Sequence, residues 1–331
     1  MPWKIGMMMM FLISVSYSQV KWAQTGFDFL TVSNDARAAA MGDAVNSLPG
    51  NADALFHNPA TMAEVPSALD VTASVNSWIA DIKHLTFGMA ISPFAGEYGV
   101  LGISVQSVDY GDVQGTEVWN NSDGFINTQI MNPSALAVGI GYARMISEQF
   151  GVGARVQFAY QSLGNSVVPS GNTLVTKQNV AKAVSYDFGT IFKTGIKSFD
   201  FGMSIRNFSE SVAFEQESFQ LPLLFTIGIS ANILDFVQIP GPEQKLLLAI
   251  DATHPRSHPE QVKVGLEYQF MKLIALRGGY ISGNSEDSFT YGVGISSAGL
   301  GISSANFELD FSDTPFGVFS NVRRVTARFT M

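Results

Sequence analysis

The chain has 331 residues, of which only 14% are charged and 46% are hydrophobic; its formal net charge is −9 and it contains no cysteine. The acidic balance removes the attraction to phosphate backbones that makes nucleic acid a partner, and the missing cysteines exclude disulfide frameworks and thiolate metal sites. An average soluble domain is roughly 25% charged, so this chain is unusual for a cytosolic enzyme. Past the N-terminus it also lacks any apolar run of the ~18 to 20 residues that a spanning helix needs, which is ordinary for a membrane barrel, where apolar residues are dispersed along strands.

In chain order, residues 1–18 read as a signal peptide. Lys4 supplies the positive start, Ile5 to Val15 an apolar core, and Ser16-Tyr17-Ser18 the small residues of a cleavage site. The mature chain is expected to begin near Gln19 and to be exported. Residues 19–66 read as a compact, partly helical plug. Asn34-Asp35 can cap a short helix over Ala36 to Met41, ended by Gly42, and a second turn over Asp53 to Phe56 leads into Asn58-Pro59-Ala60, where proline breaks the helix.

Residues 67–331 fall into segments with a period of two. In Gly151 to Gln161, Val152, Val156, Phe158 and Tyr160 alternate with Gly153, Arg155, Gln157 and Gln161; Gln261 to Phe270 repeats the pattern. Successive side chains of a strand point to opposite sides, so each segment has one greasy and one polar face. Fourteen strands are predicted: 69–79, 83–92, 97–109, 133–145, 150–162, 183–193, 199–208, 221–234, 245–254, 260–270, 273–281, 288–297, 304–312 and 321–331. Most have the ~9 to 11 residues of a tilted membrane strand, and the number is even, as in single-chain bacterial barrels. A closed sheet of this size is too wide for side chains to fill, and the polar faces are rich in Gly, Ala, Ser and Thr. The greasy face is therefore assigned to outer-membrane lipid, with Arg155, Arg206, Lys263 and Glu267 in the lumen meeting water or plug residues. Connections alternate in length: 146–149, 194–198 and 271–272 are short, whereas 110–132, 163–182 and 209–220 are long external loops. The last strand runs to the final residue, and its Phe329 and Met331 suit recognition by the barrel-assembly machinery.

Three N-terminal stretches carry a family likeness. Phe29-Leu30, then Ala36-Arg37-Ala38-Ala39-Ala40-Met41-Gly42-Asp43-Ala44, then Ala54-Leu55-Phe56-His57-Asn58-Pro59-Ala60 resemble the opening of the PorV/PorQ family, outer-membrane barrels related to the FadL fatty-acid channels. The resemblance implies a fourteen-stranded barrel with an N-terminal hatch in the bacterial outer membrane. It matches Arg37, Gly42, Asn58, Pro59 and Ala60, whose implied role is to hold the hatch in the lumen. By analogy with PorV, it implies a receptor or scaffold for type IX secretion, which takes secreted cargo proteins by their C-terminal signal domains. The alternative, from the FadL side, is a channel for hydrophobic small molecules such as long-chain fatty acids. A receptor predicts a sealed lumen and an apolar external patch; a channel predicts an apolar pocket between hatch and wall and a lateral gap in one strand.

No other chemistry stands out. His254 and His258 have helical metal spacing, but Pro255 and Pro259 argue against a helix and no acidic or thiol cluster completes a site. Neither G-x-S-x-G, H-E-x-x-H nor a phosphate loop occurs, so no catalytic site, metal or cofactor is expected. Asp109, Asp112, Glu117 and Asp123 form an acidic external loop that also carries Tyr110, Trp119 and Phe125. The Gly278-Gly279 pair marks either a bulge or packing against the plug.

Overall fold

The computed structural model describes residues 25–170, 173–214, 217–237, 243–283, 288–301 and 305–331; the expected signal peptide lies outside the described residues. Strands follow the hatch in the order β1 (Leu69–Ser77), β2 (Lys83–Ile91), β3 (Val100–Asp109), β4 (Val113–Val118), β5 (Phe125–Met131), β6 (Ser134–Met145), β7 (Phe150–Ser170), β8 (Thr173–Lys193) and β9 (Asp200–Ser209). They continue as β10 (Val212–Phe214), β11 (Glu217–Phe219), β12 (Leu224–Asn232), β13 (Gln244–Pro255), β14 (Gln261–Phe270), β15 (Ile274–Ser282), β16 (Phe289–Ser296), β17 (Asn306–Thr314) and β18 (Val322–Thr330). Fourteen of them close into one antiparallel barrel, in the order β1-β18-β17-β16-β15-β14-β13-β12-β9-β8-β7-β6-β3-β2. Every predicted strand has its counterpart, most within a few residues of the expected ends.

The period of two is what closes the wall correctly. On β6, Leu136, Val138, Ile140 and Tyr142 face outward and are exposed, while Ala135, Ala137, Gly139, Gly141 and Ala143 face inward and are buried. On β8 the outward row runs from Phe192 to Lys182. Ten residues at about 3.3 Å each, tilted by roughly 40°, give an apolar band about 25 Å tall, the height of a lipid-facing belt. The seam is complete: β1 pairs with β18 from Asp70↔Thr330 to Ser77↔Arg323, and Leu69 and Met331 exchange both backbone hydrogen bonds at 2.9 Å.

Three expectations need correction. The stretch 163–182 is not a loop, because β7 and β8 continue as a paired hairpin well beyond the barrel rim. The long connections 110–132 and 209–220 carry small hairpins of their own, β4–β5 and β10–β11. Beyond the barrel wall both faces of a strand meet water, so alternation fades and the period of two gives no signal there. Third, the Asn58-Pro59-Ala60 step does not only end a helix. Proline in the first position starts a further 3₁₀ turn, Pro59–Glu64.

Candidate functional site

The hatch enters the lumen at the long-loop end, where Thr25 bridges to Gln220, and leaves at the short-turn end, where it runs into β1. Between these points it is held by apolar clusters, such as Leu55 and Met62 against Ala90, Val100 and Ala143, and by a dense set of polar contacts to the wall. Asp35 caps the helix α1 (Ala36–Ala40) by accepting from the amides of Arg37 and Ala38, and Gly42 leaves the helix at φ 63°, the left-handed conformation that favours glycine. The fully buried Asn58 is the central tie. Its Nδ2 donates to the carbonyls of Asn46 (2.8 Å) and of Thr190 on β8 (3.1 Å), and its Oδ1 accepts from the Ala60 amide (3.0 Å). A Cβ at Gly189 would collide with that Oδ1, and one at Gly153 would lie 2.5 Å from the Ala60 nitrogen. Small wall residues therefore face the hatch because hatch backbone occupies the place of their side chains. Gly279 is another case: it abuts Gly42 and Met41, and the β14–β15–β16 register passes through the Gly278-Gly279 pair without a shift, so Gly279 is hatch packing and the pair makes no bulge.

The lumenal charges form an ionic network with the hatch. Arg37 is bidentate on Glu267 at 2.8 and 2.9 Å, and Glu267 also accepts from Arg277 at 2.6 Å. Arg277 reaches Asp310 and Glu308, and Arg328 ties Glu308 to Asp53 of the hatch, both at 2.9 Å. Across the lumen, Arg155 pairs with Asp187 at 2.7 Å, Arg206 donates to the Leu30 carbonyl at 3.0 Å, and Lys263 lies 3.6 Å from Asp43. The structure thus brings Arg155, Arg206, Lys263 and Glu267 inside the barrel, and Arg37, Asn58, Pro59 and Ala60 against its wall. Burial works against the Arg37 charge, and Glu267 more than offsets it. Burial pushes the Asp53 carboxyl up, reinforced by nearby Asp35. Burial and then the Arg206 charge push His57 down to about 4, which leaves it uncharged at neutral pH.

Several spaces lie beside the hatch, and two of them bear on function. A narrow inner pocket is lined by polar groups, among them Asp43, Asn46, His57, Arg206, Asp251 and Lys263. Above it, at the long-loop end, an open vestibule of about 1930 Å³ is lined by Phe27, Phe29, Trp78, Ile79, Ile82, Tyr110, Leu163 and Phe219, with His84 and Gln161. Phe27 stacks on Phe219 at 6.0 Å, and Trp78 meets His84 edge-on at 6.2 Å and Phe316 at 5.3 Å. Thr31 and Val32 line both spaces, so the apolar funnel ends where the charged interior begins. No lysine or arginine lines the vestibule.

Sequence reasoning missed the vestibule. Trp78 and Phe219 lie in connections or at strand ends where no periodicity speaks for them, and their convergence with the hatch depends on contacts far apart in sequence. Elsewhere, Phe329 stacks against Phe307 at 4.9 Å beside the seam, while Met331 is exposed. His258 is exposed and His254, on β13, is 3.0 Å from Glu260. Of the acidic residues, Asp109 ends β3, Asp112 lies between β3 and β4, Glu117 is on β4 and Asp123 is in the turn between β4 and β5, next to the exposed Trp119 and Phe125; Tyr110 instead lines the vestibule.

The sequence matches no family model and no curated protein. Among solved structures, the chain is similar to the toluene transporter TbuX of Ralstonia pickettii, with 12% identity, a TM-score of 0.58, and 89% of this chain covering 97% of that one. The toluene transporter TodX of Pseudomonas putida gives 12% identity and a TM-score of 0.58, with 94% of this chain covering 98% of that one. A FadL homologue of Pseudomonas aeruginosa gives 10% and 0.50, with 90% covering 97%. The fold is therefore the FadL-like fourteen-stranded barrel.

Proposed function

We propose that this protein is a bacterial outer-membrane channel that admits hydrophobic small molecules through its long-loop end. This choice reverses the order of the two roles implied by the N-terminal motifs, where the secretion receptor came first. What carries the reading is the aromatic vestibule between hatch and wall, which is the pocket the channel role requires. The exposed apolar belt supports placement in lipid, with the long hairpins outside the cell and the short turns in the periplasm. Structural likeness to proteins described as toluene transporters and as a monoaromatic hydrocarbon channel points the same way. The test is uptake of radiolabelled toluene by cells with and without the protein in their outer membrane. Faster uptake with the protein is the expected result, and equal rates would refute the proposal.

One observation favours the receptor reading. The β4–β5 hairpin carries Val113, Val118, Trp119, Phe125 and Ile130 exposed to solvent, an apolar patch of the kind a cargo-binding loop presents. Co-purification of secreted proteins that share a C-terminal domain, lost on replacing Trp119 and Phe125 by serine, would support that role.

A further inference from the structure

One stretch of the long-loop rim carries no charge at all: the connection between β17 and β18, Pro315-Phe316-Gly317-Val318-Phe319-Ser320-Asn321. It is a built turn. Gly317 takes φ 55°, the left-handed conformation that favours glycine, and the Phe319 amide donates to the Phe316 carbonyl at 2.9 Å. The Asn321 Nδ2 donates to the Asp313 carboxylate at 2.6 Å, which pins the turn to the end of β17. The apolar side chains point two ways. Val318 and Phe319 face solvent, 91% and 51% exposed, whereas Phe316 folds inward and is half-buried. Phe319 lies 6.2 Å from Phe316, Phe316 lies 5.3 Å from Trp78, and Trp78 lines the vestibule. Three rings at contact spacing thus run from solvent into the vestibule wall. Phe316 also lines a side chamber that meets the vestibule at Trp78, Ser257 and His258, where the β13–β14 connection offers only polar groups.

We infer that the β17–β18 turn is the entry sill of the channel, over which an uncharged aromatic molecule passes from Phe319 to Phe316 to Trp78. The inference rests on the channel reading and names the residues that select the ligand at its mouth. An apolar molecule leaving water gains most where apolar surface is already exposed, and Val318 and Phe319 expose it at the rim. Aromatic pairs attract at centroid separations of about 4.5 to 7 Å, and both steps of the row fall inside that range. A ligand ring therefore meets the next partner before it has left the last, and it does not return to water between them. A saturated ring of equal size is desolvated as well but lacks the edge-to-face attraction, so the sill favours aromatic over saturated molecules roughly two- to tenfold. The turn itself holds no lysine or arginine, so it offers nothing to an anion.

The test uses cells carrying the whole protein in the outer membrane and measures uptake of radiolabelled toluene and methylcyclohexane, well below saturation and near it. Rates are normalised to the amount of folded barrel, read from the heat-dependent gel shift. Phe319→Ser and Phe316→Leu should each lower toluene uptake at low concentration roughly two- to tenfold, because capture is what the sill supplies. The rate near saturation should stay within about twofold, since the vestibule behind the sill is unchanged. Phe316→Leu keeps an apolar group against Trp78 but no ring, so it should also bring toluene and methylcyclohexane to similar rates. Phe125→Ser removes an exposed ring from the β4–β5 hairpin, outside the vestibule, and should change neither rate. Unchanged low-concentration uptake in both sill variants overturns the inference while the channel reading stands. So does an equal loss in Phe125→Ser, or a loss near saturation as large as that at low concentration, which would mark a structural role. If wild-type cells take up toluene no faster than cells without the protein, the channel reading itself fails.

Discussion

Replacing Asn58 by alanine tests whether the hatch is held by polar ties to the wall. The side chain caps the 3₁₀ turn Pro59–Glu64 and joins two distant backbone carbonyls, Asn46 in the hatch and Thr190 in β8. Loss of the cap costs about 0.5 to 2 kcal/mol, and each buried group stripped of its partner about 1 to 3 kcal/mol. With some of these groups finding water, about 3 to 5 kcal/mol is expected, which is a rise of roughly two to four powers of ten in local opening. Hydrogen exchange in nanodiscs, followed peptide by peptide, should show this loss of protection over residues 46–64 while the barrel strands keep theirs. Gly189→Ala should expose the same peptide from the wall side, because its methyl group occupies the place of the Asn58 Oδ1. Since both substitutions break one contact, the double variant should cost clearly less than the sum. Protection in Asn58→Ala within about threefold of wild type would refute the reasoning, because such a difference is worth less than 1 kcal/mol.

Further outcomes follow from the same structure. Glu267→Gln leaves Arg37 and Arg277 buried without their shared carboxylate, and stability in urea should fall by about 3 to 5 kcal/mol, read from loss of the compact gel band. Deleting residues 329–331 removes the Phe329 ring contact and both Leu69–Met331 hydrogen bonds at the seam, so little heat-modifiable barrel should be recovered from membranes. The folded value of His57 lies near 4, below its ordinary 6.5. The unfolded chain therefore binds the proton first as the medium is acidified. The stability contributed by neutral His57 is complete above 6.5 and is lost as pH falls through about 4. Hatch protection should decline across that window, and His57→Phe should flatten the decline.

The wall was legible in the sequence because one rule, the alternation of β6 or β14, fixes strand, register and facing together. The same rule fails where its cause is absent. On the outer parts of β7 and β8 and in the β4–β5 hairpin no lipid face exists, and the sequence reads as loop. In the hatch, Asp35 and Gly42 announced their helix because caps are local, whereas the pairing of Arg37 with Glu267 spans 230 positions and no local pattern encodes it. The smallness of the lumenal residues was visible; that Gly153, Gly189 and Gly279 are small because hatch backbone lies on them was not. His84 read as one more polar-face residue of a strand, and only the fold sets it edge-on to Trp78 in the vestibule wall.

The division between an aromatic vestibule and a charged interior also defines what the hatch does to a ligand. An apolar molecule gains by leaving water for the rings around Trp78, but the next space is lined by Asp43, Arg206, Asp251 and Lys263. Entering it means separating those groups from whatever solvates them, a cost that a hydrocarbon cannot offset with any hydrogen bond of its own. The hatch is therefore a barrier of polarity as well as of volume, and opening a hole in it would not by itself draw an apolar molecule through. This explains why the wall invests its few charges in the lumen: each one both ties the hatch and lowers the affinity of the interior for the molecules that the vestibule collects.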